Sequence, residues 1–387
     1  MGLNTKKTIL FVSQEYPPYI IGGAGVYIYN LIKWIKKINP DLNIHLLTFS
    51  KRNPLGYKLP SSDPDRCIRL SLTSEFFPLR YYEFYIKANI YIKMNEGKYS
   101  LIHDNYNIVT SCVKTPFVTT VHSTQLLEMI HSEKYFSQLG LERIAKIFYT
   151  LIWRQIEKRS LEKSSYLIFP SRLLERLVLR NIKAKRNKII YHGIDLDVFH
   201  PISNISPIYD LLFVGRFVPR KGLFLLISAL KLIKRKLKIL FCGKGSGFIY
   251  KYIKNSTSSL NHIINFLEGV SYYEMPKIYN QSRITVIPSE YESFGFVVLE
   301  SLACGVPIIV TNTGIIPEIA DDLEGSEYCY ILRYNTSEEL AKAIEQLLDY
   351  KNVKEEIFKN AKEKILNKFS WENTVKETLM LYDLLTE

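Results

Sequence analysis

Short runs of β-branched and aromatic residues recur along the first two hundred positions, separated by stretches whose apolar residues return at helical spacing. The runs are TILFVS at 8–13, IHLLTF at 44–49, LIH at 101–103, FVTTVH at 117–122, YLIFPS at 166–171 and KIIY at 188–191. Beyond residue 200 the scheme repeats, with DLLFVGRF at 210–217, KILFCGKG at 238–245, IINFLEG at 263–269, ITVIPS at 284–289, PIIVTN at 307–312 and YCYILR at 328–333. Strand and helix in strict alternation is the pattern of parallel sheets joined by crossover helices, so the chain is expected to be α/β, with two doubly wound sheets in tandem. Between them, in DVFHPISNISPIYD at 197–210, Pro201, Pro207 and Asn204 break the periodicity and mark a linker.

Length agrees with that division, since 387 residues exceed what one core usually serves at about 150 residues per domain. The five cysteines, Cys67, Cys112, Cys242, Cys304 and Cys329, form no CxxC pair, which argues against a disulfide framework or a zinc site and for reduced thiols in the cytoplasm. The opening MGLNTKKTILFVSQEY has too short an apolar run for a signal peptide, and Lys6 stands where a myristoylation motif needs Ser or Thr. The longest uncharged run, Tyr16 to Ile32, carries two prolines and three glycines and reads as a loop entering a helix rather than a membrane span. Charge is uneven: residues 1–200 hold 29 Lys and Arg against 16 Asp and Glu, whereas residues 201–387 hold 22 of each. The basic half suits an anionic partner such as lipid head groups, phosphorylated acceptors or nucleic acid, and a solvated basic face accounts for the same numbers.

Gly22, Gly23 and Gly25 follow the first strand and precede a helix with Ile28, Leu31, Ile32 and Ile35 on one face. Bare glycine lets backbone N–H groups approach a phosphate or sugar, although a tight turn explains the glycines equally well. In VGRFVPRKG, Arg216 and Lys221 lie past a strand end, where two cations can clamp a pyrophosphate or simply face solvent. Gly243 heads a GKGSG run after the next strand that lacks Walker A order. The stretch at 288–318 is richest. Ser293 can cap a helix running to Gly305, with Glu292 at its mouth and Glu300 two turns inside. The two glutamates are then up to ~12 Å apart along a helix rising ~1.5 Å per residue, enough for one to hold a hexose and the other a ribose with the pyrophosphate between them.

Taken in order, the early GG loop, TVH at 120–122, HGIDLDVF at 192–199, VGRFVPRKG, the glutamates around SFGFVVLE and the ending FSWENTVKETLMLYDLL resemble the retaining glycosyltransferases of family 4. The resemblance spans nearly the whole chain. It implies the GT-B fold, two Rossmann-like domains facing a central cleft. An acceptor-side domain would comprise 1–197 and a returning helix at 371–387, and a nucleotide-sugar-binding domain would comprise 198–370. It further implies that Glu300 holds the ribose hydroxyls. Arg216 and Lys221 would bind the diphosphate with amides near Gly295, Phe296 and Val297. Glu292 would contact the transferred sugar, and His122 would approach that sugar from the opposite domain. Gly22 and Gly23 would close over the phosphate and acceptor side, and Gly243 completes the donor-binding set. The reaction so implied moves a hexose from a nucleotide-diphosphate sugar to a glycan or lipid-linked acceptor, with no cofactor and no metal, by same-face attack. Taken without the resemblance, His122 at a strand end is as readily a structural histidine.

Ile315 stands where the family often has a second glycine, His192 where it often has asparagine, and Ile20 and Ile21 where polyglucan synthases carry lysine. A sugar-nucleotide epimerase of the same fold and a basic nucleic-acid- or membrane-binding protein remain alternatives. No RNP, KH or helix-turn-helix signature supports a nucleic-acid partner. The stretch 141–188 holds 13 Lys and Arg against 4 Asp and Glu, with Leu141, Ile144, Phe148, Leu151 and Ile152 along one helical side. Together with Tyr81, Tyr82, Phe84, Tyr85 and Tyr91 it suggests a cytoplasmic enzyme resting on the anionic inner face of a membrane.

Overall fold

The computed structural model describes residues 7–17, 22–49, 64–74, 79–110, 114–130, 140–245, 247–350 and 353–387. Lys6, Ile20, Ile21 and Cys112 lie outside these, as do the side chains of Leu141, Ile144 and Phe148. The chain divides into two compact units, Met1–Gly193 with Trp371–Glu387, and Ile194–Ser370. The division falls before Ile194 rather than after residue 197. The Ile194 amide donates to the Phe369 carbonyl at 2.7 Å and the residue bridges in parallel to Ser370, which ties 194–197 to the second unit.

The first unit contains β1 (Thr8–Val12), α1 (Gly23–Ile38), β2 (Asn43–Phe49), β3 (Arg66–Leu70), α2 (Leu79–Met94), β4 (Leu101–Asp104), β5 (Phe117–Thr120), α3 (Gln125–Ile130), α4 (Gly140–Lys163), β6 (Tyr166–Phe169), α5 (Arg172–Leu179) and β7 (Asn187–Ile189). Its sheet runs β3-β2-β1-β4-β5-β6-β7, parallel throughout. Helices on both faces bury the strands, so β1 is an apolar run rather than an alternating one, and β4 (LIHD) is buried at every position, His103 and Asp104 included. The sequence pattern misses β3. Arg66 and Arg69 interrupt RCIRL because this strand is the sheet's exposed edge, where charged side chains discourage further pairing.

The second unit contains β8 (Tyr209–Val214), α6 (Leu223–Leu232), β9 (Lys238–Cys242), α7 (Gly247–Ser258), β10 (Ile263–Leu267), α8 (Met275–Asn280), β11 (Ser282–Ile287), α9 (Phe296–Ala303), β12 (Ile308–Thr311), α10 (Ile316–Leu323), β13 (Cys329–Leu332), α11 (Ser337–Asp349) and α12 (Lys354–Lys364). Its parallel sheet runs β10-β9-β8-β11-β12-β13. Phe213, Phe217 and Phe241 form its aromatic centre with Leu226, Leu230, Ile344 and Leu348. Cys242, Cys304 and Cys329 are free thiols.

A last helix, α13 (Trp371–Thr386), belongs to the first unit and packs on α1 and β4. Trp371 is fully buried beside Tyr27, and Tyr382 hydrogen-bonds His103 Nδ1. On α2, Phe84 is buried and Tyr81, Tyr85 and Tyr91 pack against the core, so of these five rings Tyr82 alone is exposed. The helix turns a different apolar row outward: Leu79, Tyr82, Ile86, Ile90 and Met94. On α4, Trp153 and Ile156 face inward while Leu151 and Ile152 are exposed.

Because Trp371 is enclosed on all sides, Trp371→Ala is expected to destabilise the first unit by about 3–5 kcal/mol, read as a lower urea midpoint in equilibrium denaturation.

Candidate active site

In an open α/β sheet, ligands bind where the strand order reverses, outside the carboxyl ends of the strands. In the second unit that point lies between β8 and β11, because the chain fills β9 and β10 on one side and β12 and β13 on the other. The loop after β8 contains exposed Arg216 and a 3₁₀ turn, Pro219–Lys221. The loop after β11 contains Ser289 and Glu292. The two loops meet. Lys221 Nζ donates to Glu292 Oε1 at 2.5 Å, Ser289 Oγ donates to the same oxygen at 2.7 Å, and the Glu292 amide donates to Thr313 Oγ1 at 3.1 Å. Arg220 donates to the Tyr291 carbonyl at 3.3 Å and lies 5.9 Å from that residue's ring.

The pair is largely enclosed, with 15% and 11% of the Lys221 and Glu292 side chains exposed. Burial raises the Glu292 carboxyl, but Lys221 and Arg220 outweigh it and hold the group below its ordinary range. Lys221 is also lowered, by burial first and then by Arg220 and Arg216, against the pull of Glu292. Arg220 and Arg216 beside the pair leave an excess of cations over the single carboxylate, and this excess suits an anionic ligand.

The helix after this loop begins later than the sequence reading has it. Gly295, at φ 104°, is the residue before α9, and its left-handed backbone cannot be helical, so Ser293 does not cap the helix. The chain is held there by the Phe294 carbonyl, which accepts from the Ile315 amide at 2.9 Å. Glu300 therefore sits little more than one turn inside α9, not two. Half-buried Phe296 and Val297 supply first-turn amides that have no acceptor within the helix. Glu300 is 8% exposed and accepts from the Tyr279 hydroxyl at 2.6 Å. Burial raises its carboxyl to about 7, with Tyr279 partly opposing. Ile315 is fully buried, so its side chain fills the core instead of obstructing the loop. Gly243 has a structural reason to be glycine: a Cβ there would lie 1.9 Å from the Gly215 carbonyl oxygen, where the ends of β8 and β9 approach each other.

In the first unit the order reverses between β1 and β4. Gly22 precedes α1 and Gly23 begins it, but the Gly22 amide already donates to Glu15 Oε2 at 3.0 Å. That amide is thus occupied by the protein's own carboxylate rather than open to a phosphate. His122 lies just past β5, and its Nε2 is 2.7 Å from Asn105 Oδ1. Tyr27 and His192 flank it, with ring centroids at 5.0 and 5.3 Å. His192 is 1% exposed against Tyr27 and belongs to the same cluster, in which His122 is half-buried. Burial lowers His122 and His103 to about 3, and His192 well below its ordinary value. All three are neutral at pH 7.

The structure thus joins Lys221 to Glu292 and places Arg216, Gly295, Phe296, Val297 and Glu300 on the same unit, with His122, Gly22 and Gly23 on the other. Arg220 lies inside the VGRFVPRKG motif, but nothing in the motif separates it from a surface charge. Asn105 and Tyr279 carry no sequence signal at all, because their roles depend on contacts with residues 17 and 21 positions away. Among the described residues no cluster of His, Cys, Asp and Glu is arranged to hold a metal ion.

Residues 21–198 match glycosyltransferase family 4, and residues 201–364 match glycosyl transferases group 1. An uncharacterised glycosyltransferase of Methanocaldococcus jannaschii is 28% identical over 388 residues, covering 96% of this chain and 97% of its own. The fold is similar to that of a sucrose-phosphate synthase from Thermosynechococcus elongatus, at a TM-score of 0.77, 22% identity and coverage of 98% and 99%. It is also similar to Anabaena HepE, solved with UDP and glucose, at a TM-score of 0.70, 17% identity and coverage of 97% and 99%.

The buried titratable groups give stability a two-sided pH dependence. His103, His122 and His192 bind protons near 6.5 when unfolded but not when folded, so their contribution is lost as pH falls below that value. Glu300 and Glu157, raised by burial to about 7 and about 8, keep protons in the folded state that the unfolded chain releases above 4.5, so their contribution is lost as pH rises through 7 to 8. Urea midpoints measured from pH 4 to 9 are expected to peak between about 6 and 7.

Proposed function

The chain belongs to the glycosyl transferases of group 1 and glycosyltransferase family 4, and on that premise we propose that it is a retaining hexosyltransferase, carrying a hexose from a nucleotide-diphosphate sugar to a glycan or lipid-linked acceptor of the cell envelope. The observation that carries this reading is the cation excess around the buried Lys221–Glu292 pair, at the switch point of the second sheet and ahead of the N-terminus of α9. As the anomeric C–O bond breaks, negative charge gathers on the departing diphosphate, and fixed cations and helix amides stabilise it without reorganising. Arg216 and Lys221 supply the counter-charge with the amides of Gly295, Phe296 and Val297, so no metal is assigned. Glu292, held as a carboxylate, accepts from hydroxyls of the transferred sugar, and Glu300 from the ribose. His122 is assigned to a sugar hydroxyl. The acceptor oxygen bonds to the anomeric carbon on the face the diphosphate leaves, and the acceptor proton passes to the departing phosphate. HepE, solved with UDP and glucose, supports a donor of this chemical class.

Glu300→Ala is expected to weaken nucleotide binding with a smaller effect on turnover, because a ribose contact persists from ground to transition state. Glu292→Ala is expected to depress turnover while nucleotide affinity changes less. Calorimetry and steady-state kinetics separate the two, and unchanged nucleotide affinity in Glu300→Ala removes the ribose assignment.

We further propose that the first unit docks on an anionic membrane surface where it meets that acceptor, with the enzyme on the cytoplasmic side. Among the described residues no helix is long and apolar enough to cross a membrane. The outward row on α2, with Leu151 and Ile152 on α4, supplies apolar contact, and the basic excess of residues 1–200 supplies attraction of about 1 kcal/mol per Lys or Arg near the surface. Co-sedimentation is expected with anionic vesicles at low salt, to weaken at high salt, and to be lost in an Ile86→Glu, Ile90→Glu double variant. Equal or absent binding under all conditions leaves a soluble acceptor.

A further inference from the structure

The environment of His122 fixes which of its nitrogens carries the proton. Asn105 follows β4, and its side-chain amide bridges three elements. Nδ2 lies 3.3 Å from the Ala24 carbonyl oxygen, in the first turn of α1, and 3.2 Å from Ser13 Oγ, just past β1. A carbonyl oxygen only accepts, so the atom facing Ala24 has to be the NH₂ end of the amide. Ser13 agrees: its hydroxyl donates to the Glu15 carbonyl at 2.7 Å, which leaves its oxygen to accept from Asn105. Orientation of the amide is thereby settled by two independent partners, and Oδ1 is the end directed at His122 Nε2, 2.7 Å away.

Oδ1 has no proton to give. We infer that Asn105 is a positioning residue that holds His122 in the Nε2–H tautomer, so that Nδ1 presents a lone pair and the ligand group meeting it is a hydroxyl donor, not a phosphate oxygen. The two ring nitrogens are distinct, and the hydrogen bond made by one sets the chemistry of the other. His122 is also enclosed with the neutral rings of Tyr27 and His192, an environment that opposes an imidazolium. The hydrogen bond from the Gly22 amide to Glu15 points the same way, since that amide at the head of α1 already has an acceptor and is not open to an anionic ligand. Asn105 is buried at 1% exposure, and so acts through His122 rather than on the ligand.

This inference deepens the proposed function by naming what His122 recognises, and its test does not depend on turnover alone. Nitrogen-15 NMR of the intact, histidine-labelled protein at pH 7 is expected to show His122 with a protonated Nε2 and an unprotonated Nδ1. Asn105→Asp keeps an acceptor opposite Nε2 and is expected to retain that tautomer. Asn105→Leu removes the acceptor and is expected to release it, with kcat lower by about 2- to 10-fold, the worth of one neutral hydrogen bond, and donor KM little changed. Asn105→Asp is expected to recover part of that kcat. A protonated Nδ1 or an imidazolium in the wild-type spectrum overturns the inference, and that measurement needs no variant to fold. An unchanged tautomer and kcat in Asn105→Leu overturns the positioning role. A His122→Ala variant with wild-type kcat and KM, beside a spectrum showing the expected tautomer, overturns the sugar-contact assignment of His122 in the proposed function instead.

Discussion

Parallel pairing is the constraint from which the rest of the molecule follows. Two parallel strands cannot be joined by a hairpin, so each connection has to cross a face of the sheet, and a helix is the economical way to satisfy the backbone while crossing. Both sheets are parallel throughout. Every strand therefore ends on the same edge of its sheet as its neighbours, and loops from strands distant in sequence are delivered there together. Where the order reverses, adjacent loops diverge and leave room for a ligand. Lys221 and Glu292 are 71 positions apart and His122 and Asn105 are 17 apart, yet each pair is brought within hydrogen-bond distance by this one rule.

The two switch points differ in charge. At the second, a buried ion pair is placed among extra cations. Such a pair is costly to desolvate and is weak evidence of stability, whereas truncating one member strands the other. Its presence beside Arg216 and Arg220 is better understood as preparation for an anion than as a device for holding the loops. Glu300 is held differently, as a buried carboxyl near its midpoint at neutral pH, oriented by the Tyr279 hydroxyl. Two glutamates eight positions apart thus occupy unlike environments, one charged and one poised between charged and neutral.

At the first switch point the groups around His122 are imidazoles, an amide and hydroxyls, with Glu15 at the head of α1 and the buried Asp104 tied to backbone amides at the end of β4. The basic excess of the first two hundred residues lies elsewhere. Net charge and site charge are separate properties of the same domain. The former governs long-range attraction to an anionic surface, and the latter governs which group can be seated against the sheet edge. In the proposed membrane contact, the row of apolar side chains on the outer face of α2 is what that attraction would bury.

Strand positions, the tandem repeat of the α/β scheme and the elements bearing Arg216, Lys221, Glu292 and Glu300 were legible because they depend on local periodicity, and doubly buried parallel strands write themselves as unbroken apolar runs. The edge strand β3 was not legible, since an exposed strand bearing Arg66 and Arg69 has no such run. Nor was the start of α9, where a left-handed Gly295, fixed by the contact between Phe294 and Ile315, overrides the capping preference of Ser293. Sequence supplied the residue types able to bind a diphosphate and sugar hydroxyls. Tertiary structure alone decided that Lys221 neutralises Glu292, that Tyr279 orients Glu300, that Glu15 occupies the Gly22 amide and that Asn105 faces Nε2 of His122. Protonation and orientation are set by burial and by partners far away in the chain, and neither leaves a periodic trace in the sequence.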